Sequence, residues 1–187
     1  MDLTMLQDVD IMKRPKNKSR QDAVVVTVRE TSIGSLLVAK SHKGICYIAL
    51  GDEIGQLLQE LRMRFTNIKQ NINNSVLNQE MACIIAMVET PKLMKHHNLP
   101  LDINGTAFQK KIWAVLCEIQ CGETVSYEEL AKRIDMPKAY RAVANACASN
   151  ELALVIPCHR VIRKNSTLSG YRWGTQRKQI LLQREQY

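Results

Sequence analysis

The sequence lacks any C-x-x-C pair, although it holds six cysteines (Cys46, Cys83, Cys117, Cys121, Cys147 and Cys158). Thiols scattered in this way indicate neither a zinc ribbon nor a disulfide framework. Cys117 and Cys121, with His96 and His97 upstream, fit no standard ligand spacing, so no metal site is expected. No apolar core of signal-peptide length opens the chain, and no run approaches a membrane span. A cytoplasmic protein with no membrane partner is therefore expected. Internal repeats and low-complexity tracts are absent too. Acidic residues are in short supply: 18 Asp plus Glu against 26 Lys plus Arg, a net charge of +8. That balance favours a polyanionic partner, the plain alternative being a basic protein with no such partner. The 187 residues suffice for one domain or two small ones.

Residues 1–22 read as a polar arm, in which Lys13-Arg14-Pro15-Lys16-Asn17-Lys18-Ser19-Arg20 is basic and aperiodic. Three β-type runs follow, Ala23–Val28, Leu36–Ala39 and Ile45–Leu50, with hairpin-like connections at Thr31–Gly34 and His42–Gly44. Ile54, Leu57, Leu58, Leu61 and Phe65 recur at helical spacing over Glu53–Phe65. An Asn-rich loop over Asn67–Asn74, a helix over Val76–Val88 ended by Pro91, and a short strand over Leu99–Ile103 complete this part. Residues 23–100 thus form a small α/β unit in which nothing resembles a reaction centre.

Composition changes at Gly105, and residues 101–187 read as a second, helical domain. Thr106 with Gln109, and Ser126 with Glu129, are capping-box patterns that open helices, and Trp113 is expected as a core anchor. Asp135-Met136-Pro137 makes the next turn. Pro137 suits the first position of a helix running to Ser149, with Asn150 as its left-handed stop. Two helices joined so tightly form a helix-turn-helix pattern. The second carries Ala139, Ala142 and Ala146 at three- and four-residue spacing, flanked by Arg141 and Asn145. Tyr140, Val143 and Cys147 lie on an adjoining apolar face. So smooth a surface admits close approach of another helix or of DNA.

The chemistry concentrates in Ile156-Pro157-Cys158-His159-Arg160-Val161. Leu152–Val155 is long enough for one buried strand, and Pro157, having no N–H, stops it. A thiol is nucleophilic as its thiolate, roughly a few per cent of a free cysteine at pH 7. A basic neighbour or an imidazole raises that share, and both follow Cys158 directly. The alternative is a buried structural cysteine. Ser169–Gly174 is a glycine-bounded loop carrying Tyr171, Arg172 and Trp173, suited to covering a flat ring or plugging a core. A last helix is expected over Gln176–Glu185 with Ile180, Leu181 and Leu182 inward.

Pro157-Cys158-His159-Arg160-Val161, with Tyr127, Arg141 and Asn150 upstream and the Ser169–Gly174 loop downstream, resembles the O6-alkylguanine-DNA alkyltransferases. The likeness is greatest to the C-terminal half of the bacterial adaptive-response (Ada) proteins. It runs from about Asp22 to the C-terminus. The zinc-binding phosphotriester-repair half of those proteins has no counterpart, so that second activity is not expected. The resemblance implies a ribonuclease-H-like α/β domain joined to a helical domain bearing the helix-turn-helix. It implies irreversible, single-turnover transfer of a methyl or other alkyl group from O6-alkylguanine, and also from O4-alkylthymine, to Cys158. No cofactor is implied; the partner is double-stranded DNA containing alkylated guanine, met by a monomer.

The roles follow position by position from the same resemblance. His159, through a water, would take the proton of Cys158, with Glu185 holding the imidazole. Asn150 would tie the helix-turn-helix to the cysteine segment, and Tyr127 would donate a proton to N3 of the leaving guanine. Arg141 would fill the stack vacated by the flipped base, while Ala142 and Ala144 let the helix into the minor groove beside Asn145 and Tyr140. The substrate pocket would comprise Cys147, the carbonyls of Cys158 and Val161, the backbone N–H of Arg172, and Tyr171. Trp173 stands where relatives with broad alkyl range often carry glycine, so its indole is expected to narrow the pocket. Tyr140 and Asn145 replace smaller residues, which implies a helix held further from the groove. Three rivals have distinct signatures. A non-catalytic alkyltransferase-like sensor lacks the cysteine, a helix-turn-helix regulator needs base-reading side chains on its second helix, and a Cys-His hydrolase turns over repeatedly.

Overall fold

The computed structural model describes residues 20–70, 75–93, 98–165 and 167–186. Lys13 to Ser19 of the basic cluster, His96 and His97 lie outside them. Arg20–Thr31 (β1), Gly34–Lys40 (β2) and Ile45–Gly51 (β3) form an antiparallel meander. The β1–β2 turn needs a positive φ at Gly34 (107°), where a Cβ would also meet the carbonyl oxygen of Gly51 at 2.7 Å. A helix, Ile54–Arg62 (α1), buries Leu57 and Leu61. The chain then returns as Phe65–Gln70 (β4), parallel to β1, giving the order β3-β2-β1-β4. Three expectations change here. The helix expected over Glu53–Phe65 stops at Arg62, with Phe65 opening β4. β4 occupies the start of the expected Asn-rich loop, and β1 begins at Arg20, inside the expected polar arm. The edge position of β4 explains its polar sequence: among residues 65–69, only Phe65 is fully buried.

Ser75–Glu89 (α2) packs on β1 and β2 through Leu77, Met81, Ile84 and Val88, and Pro91–Leu93 forms a single 3-10 turn after it. Leu36, Leu37, Val38 and Ala39 are all fully buried, so β2 is covered on both faces. The expected strand over Leu99–Ile103 reduces to one bridge, Ile45 to Leu101, on the outer edge of β3.

Ala107–Glu118 (α3) and Tyr127–Arg133 (α4) start at the two capping boxes, with both reciprocal bonds formed in each. Tyr140–Ala148 (α5) packs on both, and Trp113 Nε1 donates to the carbonyl of Ala146 at 2.9 Å. The helix α4 closes in a Schellman motif around Asp135 (φ 62°), where Met136 N–H bonds the Ala131 carbonyl. Pro137 lies in the following turn, and α5 begins three residues later than expected, at Tyr140. Asn150 is not left-handed; backbone bonds close the helix, Ser149 N–H to the Asn145 carbonyl at 3.0 Å and Asn150 N–H to the Cys147 carbonyl at 3.2 Å.

Leu152–Val155 is not a strand. Leu152 makes one bridge to Ile48 on the edge of β3, with Ile48 N–H bonding the Glu151 carbonyl at 2.8 Å. The backbone then doubles back: Val155 N–H reaches the Ala153 carbonyl at 2.8 Å across Leu154, whose φ is 71°. That is a γ-turn in its rare, strained form, at a cost of about 1–3 kcal/mol. Pro157 centres a second γ-turn of the relaxed hand, Cys158 N–H to the Ile156 carbonyl at 2.8 Å. Cys158–Arg160 is one 3-10 turn, and Val161–Ile162 (β6) pairs in parallel with Val125–Ser126 (β5), directly before α4. Thr175–Gln186 (α6) closes the described chain. Its buried residues are Lys178, Leu181 and Glu185, so the inward stripe is not Ile180, Leu181 and Leu182 together but a charged one that includes only Leu181 of these.

Candidate active site

Cys158 is 7% exposed at the end of the doubled-back segment. Asn150, 1% exposed, fixes this segment from the end of α5. Its Nδ2 donates to the Ile156 carbonyl at 2.9 Å and to Cys158 Sγ at 3.2 Å, and its Oδ1 accepts from Leu152 N–H at 2.8 Å. The Asn150 carbonyl in turn accepts from Arg172 Nη1 at 2.9 Å. One residue therefore joins the end of α5, the thiol and the 169–174 loop, through its side chain to the thiol and its carbonyl to Arg172.

His159 lies buried beside the thiol in sequence, with Nε2 2.9 Å from Glu185 Oε1. A carboxylate there selects the Nε2–H tautomer and leaves Nδ1, which is buried and has no hydrogen-bond partner among the described residues, as the basic nitrogen. Arg160 turns away from Cys158. Its Nε and Nη2 clasp Glu185 at 3.0 and 2.8 Å, and its Nη1 donates to the Ile119 carbonyl at 2.6 Å. Burial alone would raise the Glu185 pKa, but the bonds and charge of His159 and Arg160 hold it at about 2.

The expected activation by neighbouring charge is overturned. Burial pushes the Cys158 thiol up, against the smaller opposing pull of the Asn150 N–H and the Lys178 charge. Burial likewise pushes His159 down, against Glu185. At neutral pH the resting pair is a thiol and a neutral imidazole, because the guanidinium that was to favour the thiolate is spent on Glu185.

Tyr127, the first residue of α4, places its hydroxyl 2.8 Å from Ser169 Oγ. Lys178, 1% exposed, donates from Nζ to Ser169 Oγ at 2.7 Å and to the Val161 carbonyl at 2.6 Å. Cys147 is 6% exposed on α5, and burial pushes its thiol up. Tyr171 stands edge-on to His159 (ring centroids 6.4 Å apart) and to Trp173 (5.1 Å). Trp173 also lines a groove with Leu50 of β3, Leu57 of α1 and Arg177 of α6, so Tyr171 links that groove to the histidine. The remaining sequence candidates lie on α5 with no side-chain hydrogen bond to the thiol cluster among the described residues, and most of them face outward. Arg141, Ala142 and Asn145 are exposed on α5 and Ala144 is half-buried, whereas Ala146 is buried and does not extend the smooth face with Ala142. Tyr140 is 41% exposed, with the Arg141 guanidinium 5.8 Å from its ring centroid.

The roles of Arg160, Ser169 and Lys178 in this cluster were not read from the sequence. For Lys178 a signal existed: Lys178, Leu181 and Glu185 stand at i, i+3 and i+7 of the last helix, so a face with one leucine at its centre carries a charge on either side.

Residues 107–187 match the family described as 6-O-methylguanine DNA methyltransferase, DNA binding domain. The chain is 48% identical over 166 residues to the bifunctional transcriptional activator/DNA repair enzyme Ada of Escherichia coli, covering 87% of this chain and 46% of that one. It thus spans less than half the length of this relative, as it does of the regulatory protein Ada of Salmonella typhimurium (42%). It is 35% identical over 162 residues to the methylated-DNA–protein-cysteine methyltransferase of Debaryomyces hansenii, covering 81% of this chain and 85% of that one. Its fold superposes with a TM-score of 0.74 on the crystal structure of Mycobacterium tuberculosis OGT in complex with DNA, at 29% identity, covering 87% of this chain and 93% of that one. With the site geometry and a relative matched over most of both lengths, the chain belongs to the methylated-DNA–protein-cysteine methyltransferase family.

Proposed function

We propose that this chain repairs DNA by direct reversal, moving the alkyl group of O6-alkylguanine irreversibly onto Cys158, with O4-alkylthymine as a second substrate. The observation that carries the reading is the buried thiol held by Asn150 beside a histidine whose far nitrogen is fixed by Glu185. Sulfur attacks the alkyl carbon in line; the S–C bond forms as the O6–C bond breaks. The thiol proton passes through a water to His159 Nδ1, and Glu185 steadies the imidazolium. Tyr127 gives its proton to N3 of the departing guanine, so that no free anion leaves. The Arg172 backbone N–H faces O6, and the carbonyls of Cys158 and Val161 take the exocyclic amine. A buried thiol suits this chemistry, since it stays protonated and unreactive until a base with an alkyl carbon is seated.

The sheet order β3-β2-β1-β4 supports a ribonuclease-H-like domain over about 23–100, and the α4–α5 pair supports a helix-turn-helix in the domain over about 101–187. A base in a duplex must be rotated out before its O6 substituent can be reached, at roughly a few kcal/mol. Arg141, exposed on α5, fills the gap, while Ala142, Ala144, Asn145 and Tyr140 form the minor-groove face of a monomer. The test is incubation with duplex DNA carrying one O6-methylguanine. Wild type restores guanine, and Cys158→Ser binds the duplex but leaves the lesion. Restoration by Cys158→Ser contradicts the assignment.

A further inference from the structure

A buried ammonium without a carboxylate is a poor stabilising device. Lys178 is 1% exposed, and among the described residues its Nζ bonds only the Val161 carbonyl and Ser169 Oγ, with no carboxylate in ion-pair range. A methionine would fill the same space without the desolvation cost. A fold that keeps the charge uses it, and the groups that face it are Cys158, Cys147, His159 and, through Ser169, Tyr127.

We propose that Lys178 and Ser169 are positioning residues for the leaving-group side of alkyl transfer, forming one donor chain that runs from Lys178 through Ser169 to Tyr127. The inference rests on the reading that Tyr127 protonates the departing guanine. The hydrogen-bond inventory supports the direction. The Ser169 hydroxyl has two acceptors in reach, the Val161 carbonyl at 3.3 Å and Tyr127 Oη at 2.8 Å. The Val161 carbonyl is already served by Lys178 at the shorter 2.6 Å, and the ammonium fills one lone pair of Ser169 Oγ. The serine proton therefore points at Tyr127 Oη, and the Tyr127 proton is left to point at the base.

In the transfer step Tyr127 loses its proton to guanine N3 as the electron pair of the O6–C bond moves into the ring. Tyr127 Oη takes the Ser169 proton, and Ser169 Oγ takes one from the ammonium, which ends as a neutral amine. The thiol proton rests meanwhile on His159, so total charge is unchanged, and exchange with solvent resets both groups. Burial helps the sequence run this way: it pushes the Tyr127 hydroxyl above its ordinary value, making it a weak acid alone, and pushes Lys178 down to about 8.

The experiment is a double-mutant cycle read by single-turnover transfer from duplex O6-methylguanine, with duplex affinity and circular dichroism measured beside it. Tyr127→Phe is expected to slow transfer about a hundredfold. Ser169→Ala and Lys178→Met each slow it about tenfold or more, Ser169→Thr restores the rate, and neither Ser169→Ala nor Lys178→Met slows the Tyr127→Phe protein further. If Lys178→Met fails to fold, the Ser169 variants carry the same cycle. Ser169→Ala at the wild-type rate overturns the proposal. So does a Lys178→Met effect of full size in the Tyr127→Phe background, which would place the charge on the thiol instead. Absence of transfer by wild type itself overturns the underlying reading and is distinct from both.

Discussion

Replacing Glu185 by glutamine keeps the shape of the side chain and removes the charge on which two side chains converge. The carboxylate accepts from His159 Nε2 at 2.9 Å and from Arg160 Nε and Nη2 at 3.0 and 2.8 Å, with only 4% of the residue exposed. Its pKa falls from 4.5 to about 2 on folding. A depressed value contributes stability that is present above the unfolded pKa and is lost as pH falls through the folded one. The shift corresponds to about 3 kcal/mol at pH 7 and about 1 kcal/mol at pH 3. Breaking a buried ion pair from one side costs about 3–5 kcal/mol by mutation, which agrees in size. Urea unfolding of wild type and Glu185→Gln at both pH values is the assay. The expected gap is about 3 kcal/mol at pH 7, closing by about 2 kcal/mol at pH 3. A gap under 1 kcal/mol at pH 7, or one independent of pH, refutes the assignment of this charge. Transfer should fall as well, since the imidazole loses the anion that steadies its charged form.

Arg141→Ala should slow repair in duplex roughly tenfold or more and leave reaction with the free modified base unchanged, because no stack exists there to fill; equal slowing on both places Arg141 in folding or chemistry. Duplex affinity should fall steeply with salt, by a slope of about −0.9 in log K per phosphate neutralised, with little sequence preference. A flat response or a strong consensus favours a regulator. Trp173 backs Tyr171, which stands against His159, so wild type should react well with O6-methylguanine and poorly with free O6-benzylguanine. Trp173→Gly should raise the benzyl rate relative to the methyl rate despite a stability loss of about 3–5 kcal/mol; an unchanged ratio in a folded variant removes the indole from the pocket wall.

What was legible in the sequence was local. The two capping boxes and the three meander strands form as read, and α1 keeps Leu57 and Leu61 of its expected stripe, because each is set by residues close in sequence; Phe65 leaves that stripe for β4 and Ile54 is exposed. β4 was hidden because an edge strand with one buried residue has no alternation to read. Leu152–Val155 carries the composition of a strand, yet the edge of β3 offers it one bridge and Asn150 then pulls the chain back, with a leucine accepting a left-handed φ. Nothing in the residue types announces that turn. Cys158 and His159 stand out from their neighbours, but the orientation of Arg160 depends on Glu185, 25 residues later near the end of α6. The local reading therefore assigned its charge to the wrong partner.

Mapping the transferred group decides whether Cys158 is the acceptor. The protein is mixed with an excess of duplex DNA bearing an isotopically labelled O6-methyl group, digested, and the label located by peptide mass spectrometry. One labelled methyl per chain is expected, all of it on Cys158, with no further transfer afterwards and none on the exposed Cys117 and Cys121. Label on another cysteine, or continued removal of methyl groups beyond one per chain, contradicts this expectation.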